Sequence, residues 1–375
     1  MPPAENPGYL TIADDFRDVS RGNPRPHTLT GDDLVRARLT PETWRLEIVS
    51  DGTSRITRPR LLDDGTALDL PTILELGKAH GVKFLKAMQC LNIGQPLGQG
   101  LWEGVPLREV LKLAGKLNNV RRVYWWGFHN NDPKQVFQSS LSYSQIMDTP
   151  PGELPVFVAY RLNGQPISLK RGGPVRMIVP WTHGFKSIKW LQRITLTNDC
   201  KANDTYADAN NDPESYLKTM ARIDDFPDSI REGDAVSISG VAVVGWPGLR
   251  GVEYWLRPEA GNHGNLSYDD PVWQSARWEP CRIDPPPAQW GGNLPKDVRP
   301  AEVWGFNPTT GRPNEWPMRF SLARWSVTLT GLKPGAYEFR VRTVDLNGYA
   351  QPEPRPSQQS GRNEVQYKTL LVTAR

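Results

Sequence analysis

Prolines and glycines punctuate this chain too densely for long helices. Among its 375 residues are 35 Pro and 33 Gly. Proline removes a backbone donor and jams the preceding turn, and glycine adds an entropic cost to any ordered helix. The composition has no collagen-like period and sits beside 14 Trp, so it predicts a folded core rather than a disordered chain. Short strands and tight turns, with a few brief helices, are what such a sequence permits. At about 150 residues per domain, two or three domains are expected. A chain this long buries enough surface to fold without covalent staples. Its 3 Cys make no disulfide framework, so each is read singly.

Charge narrows the function. The chain carries 45 Lys+Arg against 41 Asp+Glu, a net +4 with both signs interspersed. That balance does not fit a nucleic-acid surface. No run approaches the ~18 apolar residues of a membrane span. The start, Met1-Pro2-Pro3-Ala4-Glu5-Asn6-Pro7, has no basic segment followed by an apolar one. The expectation is a cytoplasmic chain, or a periplasmic one in its mature form.

Residues 1–40 are polar and rich in Pro and Arg, and are expected to form an extended arm. Residues 43–49 read as a strand. Pro71, followed by Ile73, Leu74, Leu76 and Gly77, opens a helix. Leu107, Val110, Leu111 and Ala114 share one helical face, and Gly115 is its stop. Residues 84–89, 122–127, 154–162 and 174–179 read as strands. The mixture has no regular βαβ rhythm and predicts an α+β domain. From about residue 220 the pattern becomes alternating. Tyr337, Phe339 and Val341 interleave with Glu338, Arg340 and Arg342, and similar runs start at 236, 252 and 325. Such strands, each with one wet face, predict an immunoglobulin-like β-sandwich. The Trp/Pro-rich stretch 271–319 would be an insertion between its strands.

Two segments carry candidate chemistry. Cys90 ends the strand-like 84–89 run and enters a loop with Gly94, Gly98 and Gly100. Glycines let backbone approach a bulky group, and a thiolate suits a transition metal. A lone cysteine is more often a buried structural residue, the reading kept for Cys200 and Cys281. The second segment, residues 170–190, gathers Lys170, Arg171, Arg176, Lys186 and Lys189 around a short apolar strand. Such a set holds a phosphate, with arginine giving forked bonds and lysine a point charge, or else forms a basic face. None of the 5 His shows an HExxH or zinc spacing, and there is no G-x-S-x-G elbow or phosphate loop of the Walker type.

The order of these segments resembles the sulfite oxidase family of molybdenum enzymes. After the cysteine comes Trp102-Glu103-Gly104-Val105-Pro106-Leu107, similar to the family's W-x-G-V-P-L. Then follow Asn163-Gly164-Gln165-Pro166, Gly173-Pro174-Val175-Arg176 and Lys186-Ser187-Ile188-Lys189-Trp190, in the family's order. Asn203-Asp204-Thr205-Tyr206 precedes the β-rich second half. The resemblance implies molybdenum carried on molybdopterin, residues 1–205 as the catalytic domain and 206–375 as an immunoglobulin-like dimerisation domain.

By that likeness Cys90 is the catalytic and metal-binding thiolate. His129, Arg171, Arg176, Lys186, Ser187, Ile188 and Lys189 are cofactor contacts. Arg36, in Leu34-Val35-Arg36-Ala37-Arg38, corresponds to the arginine of the family's F-x-R-N-H motif, without the Asn-His. The implied reaction is two-electron oxygen-atom transfer on a small sulfur compound such as sulfite. The implied partners are a separate electron-transfer protein, such as a cytochrome, and a second copy of the chain. Sulfite oxidases follow the cysteine with C-x-G-N-x-R, whereas here Cys90-Leu91-Asn92-Ile93-Gly94-Gln95 stands, and no arginine occurs before Arg108. Reduction of S- or N-oxides, or dehydrogenation of a sulfur compound, therefore stays open on the same cofactor. A non-catalytic, Trp-rich binding module is the third reading.

Overall fold

Both expected helices form where proline and glycine allow them. Asp69 accepts from the Thr72 amide at 3.0 Å and caps Leu70–His80, with Pro71 in its first turn. This helix runs past Gly77, whose bare Cα lies against the Tyr160 hydroxyl. The other, Leu107–Lys112, buries Leu107, Val110 and Leu111, and Gly115 ends it at a φ of 79°. The computed structural model describes residues 8–202, 214–259, 266–267, 270–351 and 363–375. The start Met1–Pro7, the motif at 203–206 and the expected boundary at 205 lie outside the described residues.

Two sheets build the first half. One orders Glu47–Ser50, Leu191–Thr197, Arg122–Gly127 and Gln138–Ser142, with only the first pair parallel. The other orders Arg176–Ile178, Phe157–Leu162, Pro96–Pro106 and Val82–Gln89, all antiparallel. The strands expected over 154–162 and 174–179 shorten to Phe157–Leu162 and Arg176–Ile178, because Pro155 and Pro174 offer no ladder donor. Trp44, Trp102, Trp125 and Phe157 fill the common core, and the Trp44 indole donates to the Leu191 carbonyl at 2.6 Å. The result is a mixed, sheet-rich fold.

The N-terminal segment is not an extended tail. Short turns at Ala13–Asp15 and Pro26–Thr28 and a helix at Gly31–Arg36 interrupt it. It is also tied down. The Thr11 and Arg17 amides donate to the Gln99 and Leu97 carbonyls, both at 2.8 Å. Phe16 fills the space where side chains on Gly98 and Gly100 would stand. Those glycines therefore admit a ring of this same chain.

In the second half one sheet orders Met220–Asp225, Val236–Val243, Leu322–Leu329 and Arg282–Ile283. Its companion orders Ser229–Arg231, Gln366–Thr373, Gly335–Val344, Gly251–Pro258 and Glu279–Pro280. Ile238, Trp325, Phe339, Val341 and Leu370 fill the core between them. The expected wet face is not wet: Glu338 is 4% and Arg340 1% exposed. Arg340 stacks on Tyr367 at 4.8 Å and Arg342 on Trp278 at 4.0 Å, while Arg257 pairs with Glu338 at 2.8 Å. Charge on this face is thus neutralised by pairing and covered by indole.

The covering comes from the 271–319 stretch. It does lie between strands, but it also supplies two short strands of its own. Further on it meets the N-terminal arm, where Tyr9, Leu10, Val303, Phe306 and Met318 form a separate core over Leu85 and Leu101. Gln99 joins three regions: its side chain donates to the Tyr9 carbonyl at 2.8 Å and accepts from the Leu322 amide at 2.6 Å.

Candidate cofactor pocket

The pocket begins where the Val82–Gln89 strand stops. A register shift between Met88 and Gln89 ends its ladder with the next strand. The buried Gln89 amide then donates to the Cys90 carbonyl at 3.0 Å and to the Ile93 carbonyl, which curls the loop back. Cys90 leaves this bend half-buried and unbridged, facing a pocket it lines with Trp102, His129, Arg171, Arg176 and Lys189.

The cations opposite are far from solvent. Arg171 is 3% and Arg176 6% exposed. Arg171 spends one nitrogen on the Phe16 carbonyl at 2.6 Å, while its Nε and Nη2 have no partner. Arg176 donates to the Arg171 carbonyl at 2.7 Å and to the Ser187 carbonyl, and rests 5.0 Å over Trp102, while its Nε has no partner. Burial, with the Arg171 charge adding to it, pulls Arg176 down to about 9. Lys189 bonds Asp18 at 3.1 Å, Ser20, and the Lys170 carbonyl at 2.9 Å. Burial, then Arg176, draws it down to about 7 although Asp18 opposes them. Burial alone would raise Asp18, but hydrogen bonds from Ser20 and the Lys189 charge hold it well below the carboxylate range. No Asp or Glu is among the described residues lining the pocket. Buried guanidinium N–H groups without acceptors are costly, and a forked anion such as a phosphate satisfies them.

Seven of the nine expected site residues line this pocket: Cys90, His129, Arg171, Arg176, Ser187, Ile188 and Lys189. The His129 ring nitrogen lies 3.4 Å from the Gly127 carbonyl, and the Ser187 hydroxyl accepts from the Val179 amide at 3.1 Å. Lys186 and Arg36 lie elsewhere. Lys186 is turned under the floor by the Gly184–Lys186 turn, where its ammonium donates to the Ser140 carbonyl at 2.9 Å. Arg36 is 69% exposed on its helix and paired with Asp33 one turn back, outside the pocket lining. The arm presents Arg17 and Arg21 to the pocket instead. The signal was present: Val19-Ser20-Arg21-Gly22-Asn23 places an asparagine after its arginine, which Leu34–Arg38 does not.

Two further residues escape local pattern. Arg222, 3% exposed on Met220–Asp225, brings its guanidinium against the Cys90 loop, 3.6 Å from where a Gly94 Cβ would stand. The loop that lacks its own arginine is met by one from the other half of the chain. Lys86, four residues before Cys90 and fully buried, donates to the Pro180 and Thr182 carbonyls at 2.6 and 3.1 Å. Burial, then Arg176, draws it down to about 7. Its ordinary value is 10.5. The unfolded chain therefore binds more protons across that interval, and stability of the cofactor-free protein rises with pH from about 7 toward 10.5. Urea midpoints at pH 7 and 9 should increase in the wild type and change less in Lys86→Met.

A half-buried thiol and buried guanidinium groups with unpartnered nitrogens share one pocket, a donor set suited to an oxyanionic metal cofactor. Among the described residues no three His, Cys, Asp or Glu gather to hold a metal by themselves. Cys90 thus suits a metal whose other ligands come with its cofactor. Molybdenum on molybdopterin fits this donor set: its dithiolene would bring the remaining sulfur ligands, and Arg171 and Arg176 would hold its phosphate.

Residues 33–205 match the oxidoreductase molybdopterin binding domain. This stretch, a little under half of the chain, is an oxidoreductase molybdopterin binding domain of the kind found in sulfite oxidase and nitrate reductase relatives. The chain is 30% identical over 128 residues to mitochondrial sulfite oxidase of Drosophila melanogaster, covering 34% of this chain and 22% of that protein. To inducible nitrate reductase [NADH] 1 of Glycine max it is 32% identical over 180 residues, 44% of this chain and 20% of that protein. These matches span only a minor part of the relatives' length. Among solved structures, the sulfane dehydrogenase SoxCD of Paracoccus pantotrophus shares the fold at a TM-score of 0.58 and 18% identity, covering 88% of this chain and 76% of that one.

Proposed function

We propose that this chain performs two-electron oxygen-atom transfer on a small sulfur compound, in the manner of a sulfite oxidase. The observation that carries this reading is Cys90 opening onto a pocket whose buried arginines retain unpartnered donors. Molybdenum on molybdopterin supplies the redox chemistry. Cys90 holds the metal, Arg171 and Arg176 take the pterin phosphate, and Lys189 adds a point charge held in place by Asp18. Trp102 and Trp190 wall the pocket and exclude water, while Arg17 and Arg21 draw an anionic substrate to its mouth. Electrons leave to a separate one-electron carrier. The second half is read as an immunoglobulin-like sandwich through which two copies pair. No helix among the described residues is long and apolar enough to cross a membrane.

Protein from a cofactor-competent host should contain about one molybdenum and one pterin per chain, and should oxidise sulfite with an artificial one-electron acceptor. Well-folded protein from such a host without molybdenum would sink the proposal. A second reading, dehydrogenation of a reduced sulfur compound or reduction of an S- or N-oxide, is favoured by the arginine-free loop after Cys90. A substrate panel on the loaded enzyme separates the two.

A further inference from the structure

Resting on that reading, we infer that the substrate is an organic sulfinate, R–SO2⁻, a sulfur anion with an apolar body. Leu91, Phe128, Phe137 and Phe185 line the pocket, with Arg21 from the arm. Leu91, next to Cys90, is 2% exposed and lines the pocket, so the wall beside the Cys90 side chain is apolar where a small, heavily hydrated anion would need donors. The Arg21 guanidinium lies 4.7 Å over the Phe137 ring, a cation stacked on an aromatic plane. Such a pair offers forked hydrogen bonds to an oxyanion and a flat surface to the group beside it. Sulfite presents three oxygens and no apolar surface, and gains nothing from the three phenylalanines. A sulfinate carries two oxygens for the arginine and a body that is driven from water onto the rings.

The reaction balances as an oxidation. The sulfinate sulfur gains one oxygen derived from water and becomes a sulfonate. Two protons are released, and two electrons pass singly to a one-electron acceptor. The same acceptor that serves sulfite therefore serves here, and no other co-reactant is needed.

Benzenesulfinate and sulfite should be compared on molybdenum-loaded enzyme with ferricyanide as acceptor. The expected kcat/KM for benzenesulfinate is at least about tenfold above that for sulfite, a difference of ~1.4 kcal/mol. Calorimetric titration gives a readout independent of turnover: benzenesulfonate should bind the holoenzyme at least about tenfold more tightly than sulfate. Phe137→Ala should erode that preference, and Arg21→Met should weaken both anions. Sulfite turnover without a benzenesulfinate advantage overturns the substrate class and leaves the oxidase reading standing. Equal binding of benzenesulfonate and sulfate overturns it as well. A loaded enzyme that turns over neither compound, yet prefers benzenesulfonate, retains the anion class and loses the oxidase reading.

Discussion

Replacing Cys90 with alanine should abolish turnover and leave the protein folded. The thiol is half-buried at the end of a strand whose ladder has already closed, and it only abuts the main core. Alanine therefore removes little packing, and far-ultraviolet circular dichroism and thermal midpoint should change little. The chemical effect is of another size. Loss of groups that merely support a metal ligand costs ~10–100-fold, and loss of the ligand itself should exceed that. Pterin should still be recovered from the variant, because Arg171 and Arg176, proposed above to hold the phosphate, lie on other elements. Activity within tenfold of wild type would remove Cys90 from the metal. Loss of pterin together with activity would mean that the thiolate anchors the whole cofactor.

The second expected result concerns the cofactor-free protein. Two guanidinium groups with unpartnered nitrogens, one of them repelling both Lys189 and Lys86, are poorly compensated without an anion. Inorganic phosphate should raise the unfolding midpoint beyond an equal ionic strength of chloride. At a hundredfold excess over its dissociation constant the gain is ~2.7 kcal/mol, or several degrees for a chain of this size. Arg176→Met should lose most of that gain. The same variant should retain well under one pterin per chain when expressed with the cofactor. If phosphate and chloride act alike on the wild type, the cationic pocket is not an oxyanion site.

Sequence pattern revealed what is local. The cysteine at a strand end, both helices and the alternating strands of the second half follow from spacing and from where proline and glycine fall. Arg171, Arg176 and the Ser187–Lys189 run were legible because one short strand and its flanking turns carry them all. What failed depends on contacts between distant segments. Gly98 and Gly100 make room for Phe16, more than eighty residues earlier. Glu338 and Arg340 look solvent-facing by period, but Arg257 and Arg340 pair with Glu338 and the Trp273 indole lies over Arg340. Lys186 shares a motif with Lys189, yet its ammonium goes to the Ser140 carbonyl, outside the pocket lining, while that of Lys189 goes to Asp18. Arg222 comes to the Cys90 loop from a strand with no motif at all.

Phe16, Arg17 and Val19 to Gly22 line the pocket, and residues 8–10 of the arm are held far along the chain. The Leu10 amide donates to the Trp290 carbonyl at 2.8 Å, and Gly8 packs on the same backbone. The arm therefore carries two clasps of different range: Thr11, Phe16, Arg17 and Asp18 are held by Gln99, Arg171, Leu97 and Lys189 within the first half, and Leu10 by the last third. Loss of the distant clasp alone would leave the pocket wall attached at its middle.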